Sequence, residues 1–86
     1  MTPQEIKDLI KVLRTKTEAN EASWSTGRDT TRYEIEIDGK EHVFARFNNT
    51  EKNQQQFCYI KVGDYENEYE PDSEEFTLIS EFVKWL

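Results

Sequence analysis

The residues with the greatest chemical potential in this chain are carboxylates near its end. Residues 64–75 contain seven acidic side chains and no basic one. Residues 1–63 carry ten acids and ten bases, so the net charge of −7 comes entirely from residues 64–86. Carboxylates ligate cations, exchange protons or attract basic surfaces. Because a block of like charge repels itself in the folded state, its presence calls for a functional explanation.

Calcium binding is the first chemistry that this block suggests. Counted from Asp64, acids fall at positions one, three, five, seven, nine and twelve, which is the ligand spacing of an EF-hand loop. Position six of that loop needs a glycine for a sharp bend and is Tyr69 here, while position eight is Pro71. The sequence therefore predicts no metal site, and we expect no cofactor.

Docking on a basic surface is the second chemistry. If residues 64–70 are extended, Asp64, Glu66, Glu68 and Glu70 project from one side at intervals of about 7 Å. This interval is close to the phosphate spacing along a nucleic-acid strand. We therefore expect the row to bind a basic, nucleic-acid-binding surface of a partner protein, as an inhibitor or modulator.

Aromatic side chains at the edge of this row complete the predicted partner-binding set. Tyr65 and Tyr69 lie on the opposite side of the segment and could anchor it on the core. The predicted set consists of acids and aromatic anchors, namely Asp64, Tyr65, Glu66, Glu68, Tyr69, Glu70, Asp72, Glu74 and Trp85. The layout is similar to that of small acidic phage-encoded inhibitors of nucleic-acid enzymes, without a shared motif. The remaining interpretation is a solvated acidic loop that only keeps the protein soluble.

Nucleophilic catalysis is not predicted. The chain has one histidine, His42, and one cysteine, Cys58. Cys58 stands in an apolar alternation, which is typical of core packing rather than of a nucleophile beside a base. The three glycines are isolated, so no phosphate-binding loop is present. We therefore expect a protein that is not an enzyme.

The first helix is predicted over residues 3–17. Thr2 can cap it, and Glu5 completes a capping box three residues later. Four apolar residues then follow at helical spacing: Ile6, Leu9, Ile10 and Leu13. The polar segment 17–30 is long for a loop, which favours continuation of the helix to about Ala22. Residues 24–27 are then a turn or a short extra strand, with Trp24 as a lid on the core.

Three strands are predicted at about 31–37, 42–48 and 56–62, with a polar connection over residues 48–53. Asp38-Gly39 predicts a hairpin, for which two registers are open. A two-residue turn places His42 and Phe44 opposite Ile35 and Tyr33, whereas a three-residue loop places Val43 and Ala45 there. We favour the three-residue loop, because it keeps one face uniformly apolar.

The second helix is predicted over residues 73–86, with Asp72 as its cap and Glu75 closing a second capping box. Its apolar residues span an arc of roughly 180°. We expect the first helix to pack beside it and cover this width. Otherwise Leu78 and Trp85 border an exposed strip. This helix is also where a homo-oligomer would form.

The predicted fold is one small α+β domain over residues 1–86. Its order is α-β-β-β-α, a three-stranded antiparallel meander with both helices on one face. Double-stranded-RNA-binding domains share this order, but their lysine cluster is replaced here by Asp72, Ser73, Glu74 and Glu75. These residues would repel phosphate, so we do not expect a nucleic-acid partner.

An open sheet face is the alternative site. The bases of a single-stranded nucleic acid would stack there on aromatic side chains, between basic side chains that contact phosphate. The aromatic residues are Phe44, Phe57 and Tyr59, and the basic residues are Arg32, Arg46 and Lys61. As to location, a single cysteine fits a reducing compartment. We see neither a signal peptide nor an apolar run long enough for a membrane span, and expect a cytoplasmic protein.

Overall fold

The structure, a computed structural model, describes residues 1–26, 31–49 and 55–86. Over these residues the chain has an α+β fold with two helices and five antiparallel strands. In chain order they are α1 (Pro3–Glu18), β1 (Ser25–Thr26), β2 (Arg32–Ile37), β3 (Lys40–Asn49), β4 (Gln55–Val62), β5 (Tyr65–Tyr69) and α2 (Glu74–Trp85). The sheet order is β1-β2-β3-β4-β5, so the predicted three-stranded meander has two strands too few. Strand β1 is the short extra strand that the sequence left open at residues 24–27, whereas β5 was not predicted. No described helix is long and apolar enough to cross a membrane.

Helix α1 confirms the predicted span 3–17 to within one residue, but it does not continue beyond Glu18. The Thr2 hydroxyl accepts a hydrogen bond from the Glu5 N–H, and the Glu5 carboxylate accepts one from the Thr2 N–H, which confirms the capping box. These hydrogen bonds lower the pKa of Glu5. The predicted continuation to Ala22 is wrong, because Asn20 takes a left-handed conformation with φ of 59° and ends the helix. Of the following segment, residues 27–30 lie outside the described part of the chain.

The β2–β3 hairpin has the two-residue turn, so the favoured three-residue loop is wrong. Asp38 and Gly39 have φ of 53° and 76°, the geometry of a type I′ turn, whose twist matches that of the flanking strands. Ile35 therefore pairs with His42, and Tyr33 with Phe44. Strand β3 turns Phe44 toward the helices and Val43 and Ala45 away from them. The preferred geometry of the two-residue turn therefore determines the register, even though the other register would give one sheet face a more uniformly apolar composition.

The core lies between the helices and one side of the sheet. It is formed by buried residues from α1, β3, β4, β5 and α2: Ile6, Ile10, Leu13, Phe44, Cys58, Ile60, Tyr69, Phe76, Ile79, Phe82 and Val83. The rings of Phe44 and Phe82 meet edge to face at 5.0 Å. Trp24 covers both rings, and its indole N–H donates to Thr17, so the prediction that it is a lid on the core is confirmed.

Helix α2 begins one residue later than predicted. Ser73 is the cap, since its extended backbone directs its hydroxyl to accept from the Phe76 N–H at 3.1 Å. The same hydroxyl donates to the Glu70 carbonyl at 2.8 Å, which fixes the turn before the helix. The predicted cap at Asp72 is therefore wrong, and so is the capping box with Glu75, because Phe76 is the third helical residue after Ser73.

The two helices run side by side in the same direction. The Lys7 amine lies 3.3 Å from the Glu74 carboxylate, and Arg14 lies 4.6 Å above the ring of Trp85. Helix α1 thus covers part of the wide apolar arc of α2, as the sequence predicts, and Leu78 packs half-buried against the core.

Strands β3 and β4 extend beyond their neighbours. Strand β2 accompanies β3 only as far as Ala45, and β5 accompanies β4 only from Cys58. Phe47–Asn49 and Gln55–Phe57 therefore form a two-stranded arm, in which the rings of Phe47 and Phe57 are 5.2 Å apart. The predicted polar connection began at residue 48, whereas β3 continues through Asn49; its remainder, residues 50–53, lies outside the described residues.

Candidate functional site

The candidate site is the face of the sheet that points away from the helices. Cross-strand pairing arranges its side chains in two central rows. From β2 across the sheet to β5, one row consists of Glu34, Val43, Lys61 and Glu66. The neighbouring row consists of Arg32, Ala45, Tyr59 and Glu68. Val43 and Ala45 have no exposed surface although both helices pack on the other face. Among the described residues, their cross-strand neighbours on this face are Arg32, Glu34, Tyr59 and Lys61.

Carboxylates dominate this face, and we call Glu34, Glu36, Glu41, Glu66 and Glu68 the acidic face. The two described bases beside them are each paired: Arg32 lies 2.7 Å from Glu34, and Lys61 lies 3.6 Å from Glu41. Within the described residues, no base forms an ion pair with the three other carboxylates, those of Glu36, Glu66 and Glu68. The face therefore carries an excess of negative charge.

Tyr59 orients one of these carboxylates. Its hydroxyl donates to Glu66 at 2.6 Å, a short distance typical of a charge-assisted hydrogen bond. Burial of the hydroxyl and this hydrogen bond raise the pKa of Tyr59 to about 12. At neutral pH the tyrosine is thus a fixed donor, and Glu66 is held against the sheet.

The predicted carboxylate row lies on and around β5. Glu66 and Glu68 are exposed on the acidic face, Asp64 lies in the β4–β5 turn, and Glu70 directly follows the strand. The turn needs a glycine at Gly63, where φ is 60° and a Cβ would come within 3.2 Å of the Lys40 side chain. Of the four carboxylates in the predicted row, only Glu66 and Glu68 lie within β5 and are oriented by the geometry of that strand.

Tyr65 and Tyr69 lie on the other side of β5, toward the helices. Their hydroxyls are 2.8 Å apart, and Tyr69 is buried in the core. Hydrogen bonding to the amino group of Met1 and to Tyr69 lowers the pKa of Tyr65. Burial, together with the hydrogen bond to Tyr65, raises the pKa of Tyr69 to about 12. Both side chains attach β5 to the core.

The other predicted partner-binding residues lie away from the acidic face. Asp72 lies in the exposed turn before α2, and Glu74 forms its ion pair with Lys7. Trp85 is 36% exposed and stacks on Phe82 in the helix layer. One flat partner surface cannot contact both Trp85 and the β5 carboxylates.

Three acids of the face, Glu34, Glu36 and Glu41, are absent from the predicted set. The alternation of β2 already places Glu34 and Glu36 on one side of that strand. Their alignment with Glu41 and β5, however, depends on the hairpin register and on a fourth pairing that the predicted meander lacked.

The nucleic-acid platform predicted on this face has a different composition in the structure. Phe44 is buried under the helices, and Arg46, on the same side of β3, donates to Gln56. Phe57 and Tyr59 remain on the open side, where Phe47 joins them. With Arg32 and Lys61 both paired to carboxylates, the face opposes rather than attracts phosphate.

The histidine and the cysteine lie in different parts of the sheet. His42 pairs with Val62, four residues along β4 from Cys58, which is about 13 Å at about 3.3 Å per residue. Burial raises the pKa of the Cys58 thiol to about 11, and its sulfur lies 3.7 Å from the Phe76 carbonyl. Such a thiol stays protonated at neutral pH and packs as an apolar group.

Metal ligands are not grouped in the described part of the chain. Across residues 1–26, 31–49 and 55–86, no three His, Cys, Asp or Glu side chains come together to hold an ion. The acidic window 64–75 is divided among a turn, a strand, a second turn and the start of α2, so it does not form a calcium-binding loop.

Comparison with protein-family models, curated proteins and solved structures gave no significant match. A function for this chain must therefore be inferred from its own residues.

Proposed function

We propose that this chain is a small, non-catalytic interaction module that docks through its acidic face on a basic surface of a partner protein. The observation that carries the proposal is the charge of the face: five carboxylates stand beside two described bases, and both bases are already paired. Excess charge of one sign attracts a cationic surface at long range and speeds association. Exposed pairs contribute only about 0–1 kcal/mol each, so the face acts collectively.

A nucleic-acid-binding groove on the partner suits this face best. Glu66 and Glu68 lie on the same side of β5, two residues apart, hence about 7 Å along the strand. This approximates the phosphate interval to which such grooves are adapted. By occupying the groove, the chain would act as an inhibitor or modulator of its partner. Free nucleic acid would be repelled by the same carboxylates.

We also propose a cytoplasmic location, because the single cysteine is a buried, unpaired thiol.

The non-catalytic part of the proposal is supported by the separation of His42 from Cys58. Replacing Cys58 by Ala should leave the biological effect within a few-fold of that of the parent, once the fold has been verified by amide chemical shifts. A loss of several orders of magnitude in a folded variant would reveal a catalytic thiol.

The docking surface is tested by neutralising its unpaired carboxylates. Affinity capture from the native host identifies candidate partners, and association rates are then measured at several salt concentrations. The variant Glu36→Gln/Glu66→Gln/Glu68→Gln should associate more slowly, with a weaker dependence on salt. The matched control, Asp8→Asn/Glu18→Gln/Glu81→Gln, loses the same charge from exposed positions of α1 and α2. It should retain most of the parent rate.

Equal effects of the two triple variants would show that only the net charge matters, and the proposed surface would be wrong. If neither variant changes the rate at any salt concentration, the carboxylates only solubilise the chain. Tight binding of single-stranded DNA at low salt, lost on Phe57→Ala, would instead support the nucleic-acid alternative.

A further inference from the structure

We infer that the outer edge of β5 accepts an extended, basic segment of the partner as an additional antiparallel strand. This inference rests on the proposed function and specifies how part of the acidic face is engaged. It concerns the backbone of β5 as well as its carboxylates. The partner segment is defined by two properties: an extended backbone, and Lys or Arg at alternate positions.

The β4–β5 turn determines which backbone groups point outward. Val62 pairs with Tyr65 across the two-residue turn, so the N–H and C=O groups of Tyr65, Asn67 and Tyr69 bond to β4. Those of Glu66 and Glu68 point away from the sheet. Within the described residues, no strand pairs with this edge. In agreement, the Glu68 N–H is not part of the ladder and donates to the Asn67 side chain at 2.9 Å.

The two edges of the sheet differ in how well they are covered. On one edge, β1 pairs with Tyr33 and Glu34 and covers part of β2. On the other edge, β5 presents three consecutive exposed residues, Glu66 to Glu68, and none of the strands in the described part of the chain covers them. An uncovered edge is a template for another strand unless its side chains prevent pairing.

Antiparallel pairing of β5 with the β5 strand of a second copy is disfavoured by the charges of the strand. In antiparallel pairing, residues whose backbone groups point outward lie opposite residues of the same kind on the other strand. In β5 these are Glu66 and Glu68, with Asp64 and Glu70 next at either end. Self-pairing in any such register would therefore set carboxylate against carboxylate, which is destabilising.

A basic strand from a partner protein would pair favourably with β5, because its charges are opposite to those of the strand. Lys or Arg directly across from Glu66 and Glu68 would form cross-strand ion pairs on the acidic face. The alternate residues of the partner would lie on the helix side, beside Asn67 and the half-buried Tyr65. Small or β-branched apolar residues suit those positions. The edge thus selects a segment in which basic and apolar residues alternate.

Two peptides of identical composition and charge test the inference. Both have the sequence Val-Lys-Val-Lys-Val-Lys-Val with blocked ends. One is N-methylated at three of its four valines, which matches the number of methyl groups in the other peptide, and keeps the lysine-bearing backbone edge free. The other is N-methylated at the lysines and lacks those donors. We expect the first to bind at least about tenfold more tightly, since backbone hydrogen bonds are lost in the second.

The binding site is located by amide exchange and by substitution. In the complex with the valine-methylated peptide, exchange of the Glu66 amide proton should slow. Glu66→Pro breaks no ladder bond with β4, but its ring replaces the outward N–H and would clash with the carbonyl of an added strand, so that close pairing is prevented and the difference between the two peptides should shrink. Glu66→Gln loses the same charge but keeps the N–H, and should retain the difference. If the proline variant does not fold, amide exchange in the parent and in Glu66→Gln decides the question.

The outcomes separate this inference from the proposed function. Equal, salt-dependent binding of both peptides without protection of the Glu66 amide would overturn strand addition and leave the acidic-face proposal standing. Absence of binding by either peptide at low salt would overturn strand addition, whereas the acidic-face proposal is decided separately by the two triple variants. Preference for the lysine-methylated peptide would show that pairing does not follow the deduced register, and would also overturn the inference.

Discussion

The two faces of the sheet bury their central residues equally well and by different means. On the helix side, Phe44 and Ile60 are fully buried beneath apolar side chains of α1 and α2. On the open side, Val43 and Ala45 are just as inaccessible, but their described cross-strand neighbours are charged or aromatic. Apolar packing on the first side stabilises the fold strongly, whereas exposed ion pairs on the second contribute little. The open face can therefore vary in charge without loss of structure.

The largest expected difference between the faces comes from truncating their central residues. Phe44→Ala should lower the free energy of unfolding by about 3–5 kcal/mol, because it leaves a cavity beside Phe82. Val43→Ala removes two carbons from a site without a second layer and should cost about 1–2 kcal/mol. Urea denaturation measures both values. Equal costs would show that the open face is packed as tightly as the core.

Alkaline pH tests a tyrosine on each face. Tyr69 on the helix side and Tyr59 on the open side both have pKa values raised from 10.0 to about 12. The unfolded chain loses these protons first as the pH rises, so stability should fall between about pH 10 and about pH 12. Tyr69→Phe and Tyr59→Phe should each make this fall less steep. Unfolding curves at about pH 9 and about pH 11 provide the measurement. An unchanged slope in either variant would contradict the assigned shift.

The acidic window 64–75 contributes to both faces of the sheet, since it includes β5, which carries carboxylates of the open face, and the start of α2 in the helix layer. Ser73→Ala removes the hydroxyl that caps α2 and should cost about 1 kcal/mol. The neighbouring Asp72→Ala should change stability by less than about 0.5 kcal/mol, because Asp72 lies in an exposed turn. Thermal denaturation of the two variants distinguishes the caps. A larger effect at Asp72 would restore the cap that the sequence predicts.

The smallest expected effect is that of removing charge from the open face. Glu36→Gln/Glu66→Gln/Glu68→Gln should change the free energy of unfolding by less than about 0.5 kcal/mol, toward greater stability, because self-repulsion falls. The glutamine at position 66 retains an oxygen that can accept from Tyr59. A loss above about 1 kcal/mol in denaturant unfolding would show that these carboxylates hold the fold together.

Local signals in the sequence were sufficient for several elements. The Thr2–Glu5 capping box and the apolar spacing of α1 predicted that helix, because both depend on residues within two turns of each other. The centres of β2, β3 and β4 followed from their alternation. The hairpin register did not follow, since His42 with Phe44 and Val43 with Ala45 each give an acceptable pattern. The left-handed backbone of Asp38 and Gly39 decides between them.

The limits of the site prediction have related causes. Tyr65 and Tyr69 alternate with Glu66 and Glu68 as in a half-buried strand, but acids are rare in strands, and so β5 resembled a loop. Spacing along β5 was enough to identify its own carboxylates. Glu41 joins them only through pairing across three strands, which no local pattern reveals. Trp85 was included as an apolar residue near the acids, and packing assigns it to the helix layer.

The arm formed by Phe47–Asn49 and Gln55–Phe57 has a consequence for how the molecule opens. None of the other described strands flanks this arm, and a two-stranded ribbon on its own is only marginally stable. Its backbone hydrogen bonds should therefore break and re-form many times for each unfolding of the whole domain. In native-state hydrogen exchange, the amide of Phe47 should exchange faster than that of Val43, although both bond to β4 in one continuous ladder. The long central hairpin would then contain two cooperative units, whose boundary lies where β2 and β5 cease to flank it.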